Sequence, residues 1–234
     1  MLIYALLFFS FLFIGIIIGI KYFYKQKIHL IYLDGNIASG KTTLIKKLLK
    51  NKNTKFIELI EPIDEWNKIS DDKTLFEHYY NEPSRWSYSF QHFVLILKFN
   101  KLVNILGKLK NNTSIIIERS FYTDNNVFAM NCFLNKNMTF QEYKIYKIWY
   151  EFIKKQLKSL DIEEHYVYID VDPSICYDRL RMRNRQGEND ISLDYLKKIN
   201  DLHKIAYKNL NQKNIIVINN NQDTNIDEIT KKLI

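Results

Sequence analysis

Short apolar, β-branched runs recur along this chain at Ile28–Leu33, Lys55–Ile60, Ser114–Glu118, His165–Val171 and Asn214–Ile218. A short run that is apolar throughout, rather than alternating, is the mark of a strand buried on both faces. Between and after these runs lie stretches that read as helices: Lys41–Lys50, Lys73–Tyr80, Ser84–Lys110, Phe121–Phe133, Thr139–Ser159, Pro173–Arg185, Leu193–Asn211 and Asp223–Leu233. Strands alternating with helices predict an α/β fold, a five-stranded parallel sheet flanked by helices. No internal repeat and no Pro/Gly/Ser-rich linker divides residues 28–234, so they are read as one domain.

The N-terminus follows a different pattern. Residues Leu2 to Ile20 carry no charge. As a helix they would span roughly 28 Å, close to the hydrocarbon thickness of a bilayer. Lys21, Lys25 and Lys27 come after the apolar run. A cleavable signal peptide would have a charged start and a small-residue cleavage site, and a transit peptide would be amphipathic and Arg-rich. Residues 1–20 are therefore expected to form a transmembrane anchor and 21–27 a basic tether. The positive-inside rule puts residues 28–234 on the cytosolic side.

Composition narrows the classes. At 47% apolar and 15% aromatic residues, the 234-residue chain is globular rather than disordered. The net charge of +8 suits an anionic ligand, an anionic membrane surface or nucleic acid. A general richness in Lys, Asn and Ile accounts for most surface lysines, and no nucleic-acid-binding module is present, so no nucleic-acid partner is expected. The two cysteines, Cys132 and Cys176, lie in no C-x-x-C and no Cys/His metal spacing, which argues against a disulfide framework or a zinc site.

The chemistry concentrates after the first strand, in DGNIASGKTT, Asp34 to Thr43. Residues Gly35 to Thr42 satisfy G-x-x-x-x-G-K-[ST], and a strand before with a helix after is the context that motif requires. Gly35 and Gly40 let the backbone curl so that its N–H groups face an anion, at the positive end of the following helix. Lys41 can reach the β- and γ-phosphates, and the Thr42 hydroxyl can ligate Mg²⁺.

In a parallel sheet, ligands bind beyond the carboxyl ends of the strands. The second strand ends in Glu61-Pro62 and the third in Glu118-Arg119. Glu118, last in an apolar strand, is placed to orient Mg²⁺ or its water. Arg119 suits a phosphate, or a hydroxyl about to receive one, and could also pair with Glu61 or Glu118. Glu61, held extended by Pro62, could take a proton from an attacking hydroxyl. Asp172 reads as the cap of a helix with Pro173 first. Arg179, Arg181, Arg183 and Arg185 stand out in a chain that otherwise prefers Lys, and suggest a lid making bidentate phosphate contacts, Arg183 and Arg185 foremost.

Six segments in order, DGNIASGKTT, EPIDEW (Glu61–Trp66), YNEPSRWSYSFQHF (Tyr80–Phe93), ERSFYTDNNVF (Glu118–Phe128), RLRMRNRQGE (Arg179–Glu188) and ISLDYLKKIN (Ile191–Asn200), resemble the deoxyribonucleoside kinase family, its deoxycytidine, deoxyguanosine and deoxyadenosine kinase-like group. The resemblance runs from about Ile28 to the C-terminus; an apolar anchor is not usual in that family. It implies that ATP lies on Gly35, Asn36, Ala38, Ser39, Gly40, Lys41, Thr42 and Thr43, with Arg179, Arg183 and Arg185 closing over it and Mg²⁺ near Thr42 and Glu118. Glu61 resembles the general base for the 5′-hydroxyl and Arg119 the residue that holds that hydroxyl. Tyr80 and Glu188 look like the pair that grips the 3′-hydroxyl, Gln91 the amide that bonds the base, and Phe128 the ring that stacks on it. Ile37, Trp66 and Phe90 then close the pocket.

Two further positions bear on the base. Asp124 resembles an aspartate found in members that prefer dC or purines, and Lys98 stands where those members tend to carry Arg. A carboxylate accepts from an exocyclic amino group, which thymine lacks, and Lys98 could hold Asp124 ionised. The expected reaction is 5′-phosphorylation of dC, dA or dG in preference to dT. The resemblance also implies a homodimer through the long helices Ser84–Lys110 and Thr139–Ser159. The alternatives are a thymidylate-type monophosphate kinase, which Glu61 would disfavour by repelling a substrate phosphate, and a non-catalytic membrane module, which would have no need of Gly40, Lys41 or Glu61.

Overall fold

The computed structural model describes residues 27–50, 56–66, 68, 73–109, 114–188, 190–210 and 214–219. The expected anchor, nearly all of the tether and the expected helix Asp223–Leu233 lie outside the described residues. Among the described residues, no helix is long and apolar enough to cross a membrane.

Five strands form one sheet: β1 (Ile28–Gly35), β2 (Phe56–Leu59), β3 (Ser114–Glu118), β4 (Ile162–Asp170) and β5 (Ile215–Asn219). Their order is β2-β3-β1-β4-β5, and every neighbouring pair is parallel. The five apolar runs thus become the five strands. The fourth begins earlier than its apolar pattern predicts, because Glu163 and Glu164 interrupt the run while still pairing with β1.

Side chains alternate across the sheet and fill a core on each face. Leu30, Tyr32, Ile115 and Ile117 point into one cluster, with Leu95, Leu102, Tyr146 and Ile153. Ile31, Leu33, Ile116, Val167 and Ile169 point into the other, with Leu44, Ile45, Leu48, Leu180 and Leu196. The first cluster is roofed by α4 (Pro83–Leu106) and α7 (Phe140–Lys158), the second by α1 (Lys41–Leu49), α8 (Pro173–Arg183) and α9 (Leu193–Asn209).

The short elements between follow their end signals. After α2 (Ile63–Trp66), Thr74 and Glu77 form a reciprocal capping box at the start of α3 (Leu75–Asn81), and Thr139 and Glu142 do the same for α7. Asp172 caps α8 by accepting from the Ser174 amide at 2.8 Å, with Pro173 in the first turn, as its sequence predicts. The helix expected over Phe121–Phe133 is not regular. It runs as α5 (Phe121–Thr123), a π turn over Asp124–Ala129, and α6 (Met130–Leu134). The wide turn buries Asp124, Asn125, Val127 and Ala129 together, and such turns cluster at functional sites.

Because all strands run the same way, the ends of β1, β2 and β3 share one rim. That rim carries the phosphate loop, Glu61, Glu118 and Arg119.

Candidate active site

The loop after β1 has the backbone its glycines predict. Gly35 has φ 147° and Gly40 φ 98°. A Cβ on Gly35 would meet the Ile169 carbonyl oxygen at 2.6 Å, so this position admits no side chain without movement. Lys41 is buried and folds over its own loop, donating to the carbonyls of Gly35 (3.2 Å) and Asn36 (2.8 Å). Burial lowers its pKa to about 8, and the Arg119 charge works in the same direction. The Asn36 side chain faces inward, accepting from the Ile37 amide at 2.8 Å and donating to the Leu196 carbonyl at 2.9 Å. It ties the loop to α9, and only its backbone is left for a nucleotide. Ala38, Ser39, Gly40, Lys41, Thr42 and Thr43 border a hollow of about 480 Å³, with Arg179, Arg183 and Arg185 on its other side.

Next to this hollow lies a cleft of about 340 Å³ that opens on Lys41, Thr42, Glu61, Glu118 and Arg119. Thr42 Oγ1 donates to both Glu118 oxygens, at 2.8 and 3.0 Å. A hydroxyl and a carboxylate are hard oxygen donors, of the kind that could supply the protein's share of a Mg²⁺ shell. Burial raises the Glu118 pKa, and the Glu61 charge adds to the rise; a cation there would relieve both. Arg119 Nε donates to Glu61 Oε1 at 2.6 Å, so the pairing with Glu61 is the one realised. Burial alone would raise the Glu61 pKa, but the charges of Arg119, Lys98 and Lys41 outweigh it and hold the carboxylate ionised. Arg119 Nη1 is buried without a partner, and the guanidinium lies 4.0 Å above the Phe128 ring.

The far end of the cleft is aromatic. Trp66 meets Phe90 edge-on at 5.6 Å, Phe90 stacks near Tyr79 at 4.7 Å, and Phe128, Ile37 and Tyr80 complete the wall. Gln91 and Asp124 present the polar groups among them. Lys98 donates to Asp124 Oδ2 at 2.6 Å and to the Arg119 carbonyl at 2.9 Å. The expected pair is present, but Lys98 stands behind Asp124 and does not border the cleft, so its place among the substrate contacts is corrected to a supporting one. Burial lifts the Asp124 pKa to about 6 against the pull of Lys98 and Arg119.

Glu188 borders the cleft near Tyr80, yet its oxygens are held by Arg183 Nη2 (2.6 Å) and Arg185 Nη1 (3.3 Å). The sequence assigned these arginines to phosphate and Glu188 to a sugar; the structure joins them. Arg181 turns away, donating to the Ile191 carbonyl at 2.9 Å and lying over Tyr177.

One organising residue escaped the sequence reading. Asp34 is fully buried and accepts four hydrogen bonds: Ser120 N (2.8 Å), Thr123 Oγ1 (2.6 Å), Ser120 Oγ (2.7 Å) and Tyr207 OH (2.6 Å). It locks the start of the phosphate loop to the segment that carries Arg119 and Asp124. A carboxylate closing a buried strand was the available signal. Tyr79, Phe76 and Tyr195 also border the cleft and had no assigned role.

The strand order, the phosphate loop and the adjoining cleft with Glu61, Glu118 and Arg119 are those of a phosphate-loop kinase. The deoxynucleoside kinase pattern matches residues 31–234. The chain is 29% identical to deoxycytidine kinase 2 of Gallus gallus over 235 residues, covering 89% of this chain and 88% of the relative. It is 31% identical to deoxycytidine kinase 1 of Xenopus laevis over 198 residues (77% and 74%) and 33% identical to a probable deoxycytidine kinase of fowlpox virus over 175 residues (74% and 69%). The chain belongs to the deoxynucleoside kinase family, and with it to the phosphotransferases.

Proposed function

We propose that this protein transfers the γ-phosphoryl group of ATP to the 5′-hydroxyl of a deoxyribonucleoside, dC, dA or dG before dT, in nucleotide salvage. The observation that carries the reading is the Arg119–Glu61 pair, 2.6 Å apart in the cleft that also holds Lys41 and Thr42.

Glu61, kept ionised, accepts the proton of the 5′-hydroxyl. The unpartnered Nη1 of Arg119 supplies a donor for the same oxygen or for the phosphoryl group arriving on it. Lys41 exchanges its two loop carbonyls for the β- and γ-phosphates, and Arg183 and Arg185 exchange Glu188 for phosphate, freeing Glu188 for the 3′-hydroxyl with Tyr80. Thr42 and Glu118 would hold Mg²⁺, which would supply positive charge against the charge developing on the phosphoryl group. Phe128 and the Trp66–Phe90 wall take the base, Gln91 bonds its edge, and Asp124 accepts from an exocyclic amino group.

A homodimer is part of the proposal. On α7, Ile145 and Ile148 are exposed and Trp149 is partly so, beside His92 of α4, and a second copy would cover them. A membrane anchor at residues 1–20, with the kinase domain facing the cytosol, is proposed on the uncharged run alone.

The test is phosphorylation of dA, dG, dC and dT by the full chain with Mg-ATP, beside Glu61→Gln. Turnover of the amino-bearing bases that vanishes in the variant supports the reading. Turnover of dTMP but of no nucleoside would replace it with a monophosphate kinase.

A further inference from the structure

At the other end of the sheet, about 20 Å along β1 from the phosphate loop, lies a second cluster of chemistry-bearing side chains. β1 and β4 pair with His29 opposite Glu163 and Ile31 opposite His165, so His29, Glu163 and His165 share one sheet face. His29 Nδ1 and His165 Nε2 are 3.3 Å apart. Glu163 Oε2 is 3.8 Å from His29 Nδ1, and Oε1 is 4.0 Å from His165 Nε2.

Two donor atoms bound at 2.0–2.1 Å to one tetrahedral ion stand roughly 3.3–3.4 Å apart. The histidine pair already has that spacing, and one ligand atom from each of the three residues lies within 4.8 Å of the others, so an inward shift of the Glu163 carboxylate by up to about 1.5 Å completes a face. A hydrogen bond between the two rings would explain their approach but not the carboxylate that stands beside both of them. Glu163 is also oriented by Asn214 Nδ2, which donates to Oε1 at 3.1 Å, while Lys27 Nζ stands 3.1 Å from Oε2. A partner that orients a ligand carboxylate is what metal sites employ.

We propose that His29, Glu163 and His165 bind a divalent transition ion of the zinc class, with a fourth position open to water. The cysteine spacing argued against a zinc site, but it carries no information about histidines that meet across strands. Lys27, whose side chain is half exposed, competes for Glu163 and swings out to solvent when the ion enters. The ion would staple β1 to β4 where the N-terminal segment joins the sheet, and binding to the folded form alone would raise Tm.

The test is titration of the nucleotide-free full chain with Co²⁺, read by visible absorption, and with Zn²⁺, read by Tm. The expected result is about one ion per chain with the intense bands of tetrahedral cobalt. His29→Ala should weaken binding at least about tenfold with kinase activity unchanged. Lys27→Met should tighten it. A pale octahedral spectrum, or an affinity unchanged by His29→Ala, overturns the site. His29 is partly exposed, so its variant decides the matter even where His165→Ala fails to fold.

Discussion

Arg119 grips Glu61 from a backbone with φ 68°, a left-handed conformation for a bulky residue. Such a residue costs on the order of 1–3 kcal/mol and persists only where its surroundings over-determine it. Here its amide donates to the Leu33 carbonyl at 2.9 Å, and its own carbonyl accepts from Lys98 at 2.9 Å. The turn carries the guanidinium off the line of β3, over Phe128 and onto Glu61. The strained backbone, the Glu61 carboxylate and the Phe128 ring are thus joined through one residue.

Glu61→Gln keeps the shape of this arrangement and removes the proton acceptor. kcat should fall by about 10²–10⁴ while the nucleoside KM moves little. Arg119 loses its closest counter-charge, so stability should drop by about 1–3 kcal/mol in a denaturant titration. A variant within threefold of wild-type kcat would remove Glu61 from the proton's path.

Asp124 gives a pH prediction. Its folded pKa of about 6 lies above the ordinary 3.8, because burial outweighs Lys98. Between these values the folded state binds the extra proton, so this group adds stability as pH falls through about 6 and withdraws it as pH rises. Base binding runs the other way, since an amino group needs the ionised carboxylate. kcat/KM for dC should therefore decline below about pH 6. Lys98→Met should push the break upward, with activity partly restored at higher pH. The same break in Lys98→Met and wild type would disconnect the pair from base recognition.

The sheet and the phosphate loop were legible because short-range spacing determines them: five apolar runs, two glycines and a lysine. Glu118 and Arg119 were legible because a charged group ending a buried strand is conspicuous, and Glu61 because it follows the end of β2, a partly exposed edge strand, and precedes Pro62. Long-range partners left no such trace. Asp34 finds Ser120, Thr123 and Tyr207, the last 173 residues away. The π turn at Asp124–Ala129 spans only six residues, too few to show its own period. Glu188 takes Arg183 and Arg185 because the chain reverses at Gly187, while the sequence pattern had sent those arginines to phosphate alone.

Lys41 titrates in an accessible range. Its pKa, about 8 in the fold against 10.5 ordinarily, means the ammonium loses its proton as pH rises through about 8. That burial costs stability while the group is charged in the fold, and the cost is relieved between about 8 and 10.5. kcat/KM for ATP should fall above about pH 8, and the break in kcat, read at saturating ATP, should lie higher, because the bound phosphates favour the ammonium. Lys41→Met should abolish the break and lower kcat by about 10²–10³. A kcat/KM profile for ATP with no break around pH 8 would mean that Lys41 does not meet the phosphates.

Gly187 tests the lid. Its φ is +82°, and a Cβ there would lie 2.7 Å from Phe76 Cβ and 3.1 Å from Thr74 Oγ1. Those atoms belong to the first turn and cap of α3, so Gly187→Ala pushes the Arg185–Glu188 turn off the cleft wall. The nucleoside KM should rise about tenfold or more, which corresponds to roughly 1.4 kcal/mol of lost binding. Glu188→Gln is the control, since it removes the carboxylate charge without moving the backbone. It should raise the nucleoside KM while leaving Tm nearer wild type than Gly187→Ala does. If Gly187→Ala binds nucleoside as tightly as wild type, the turn does not position Glu188, and the sugar contact must come from Tyr80 alone.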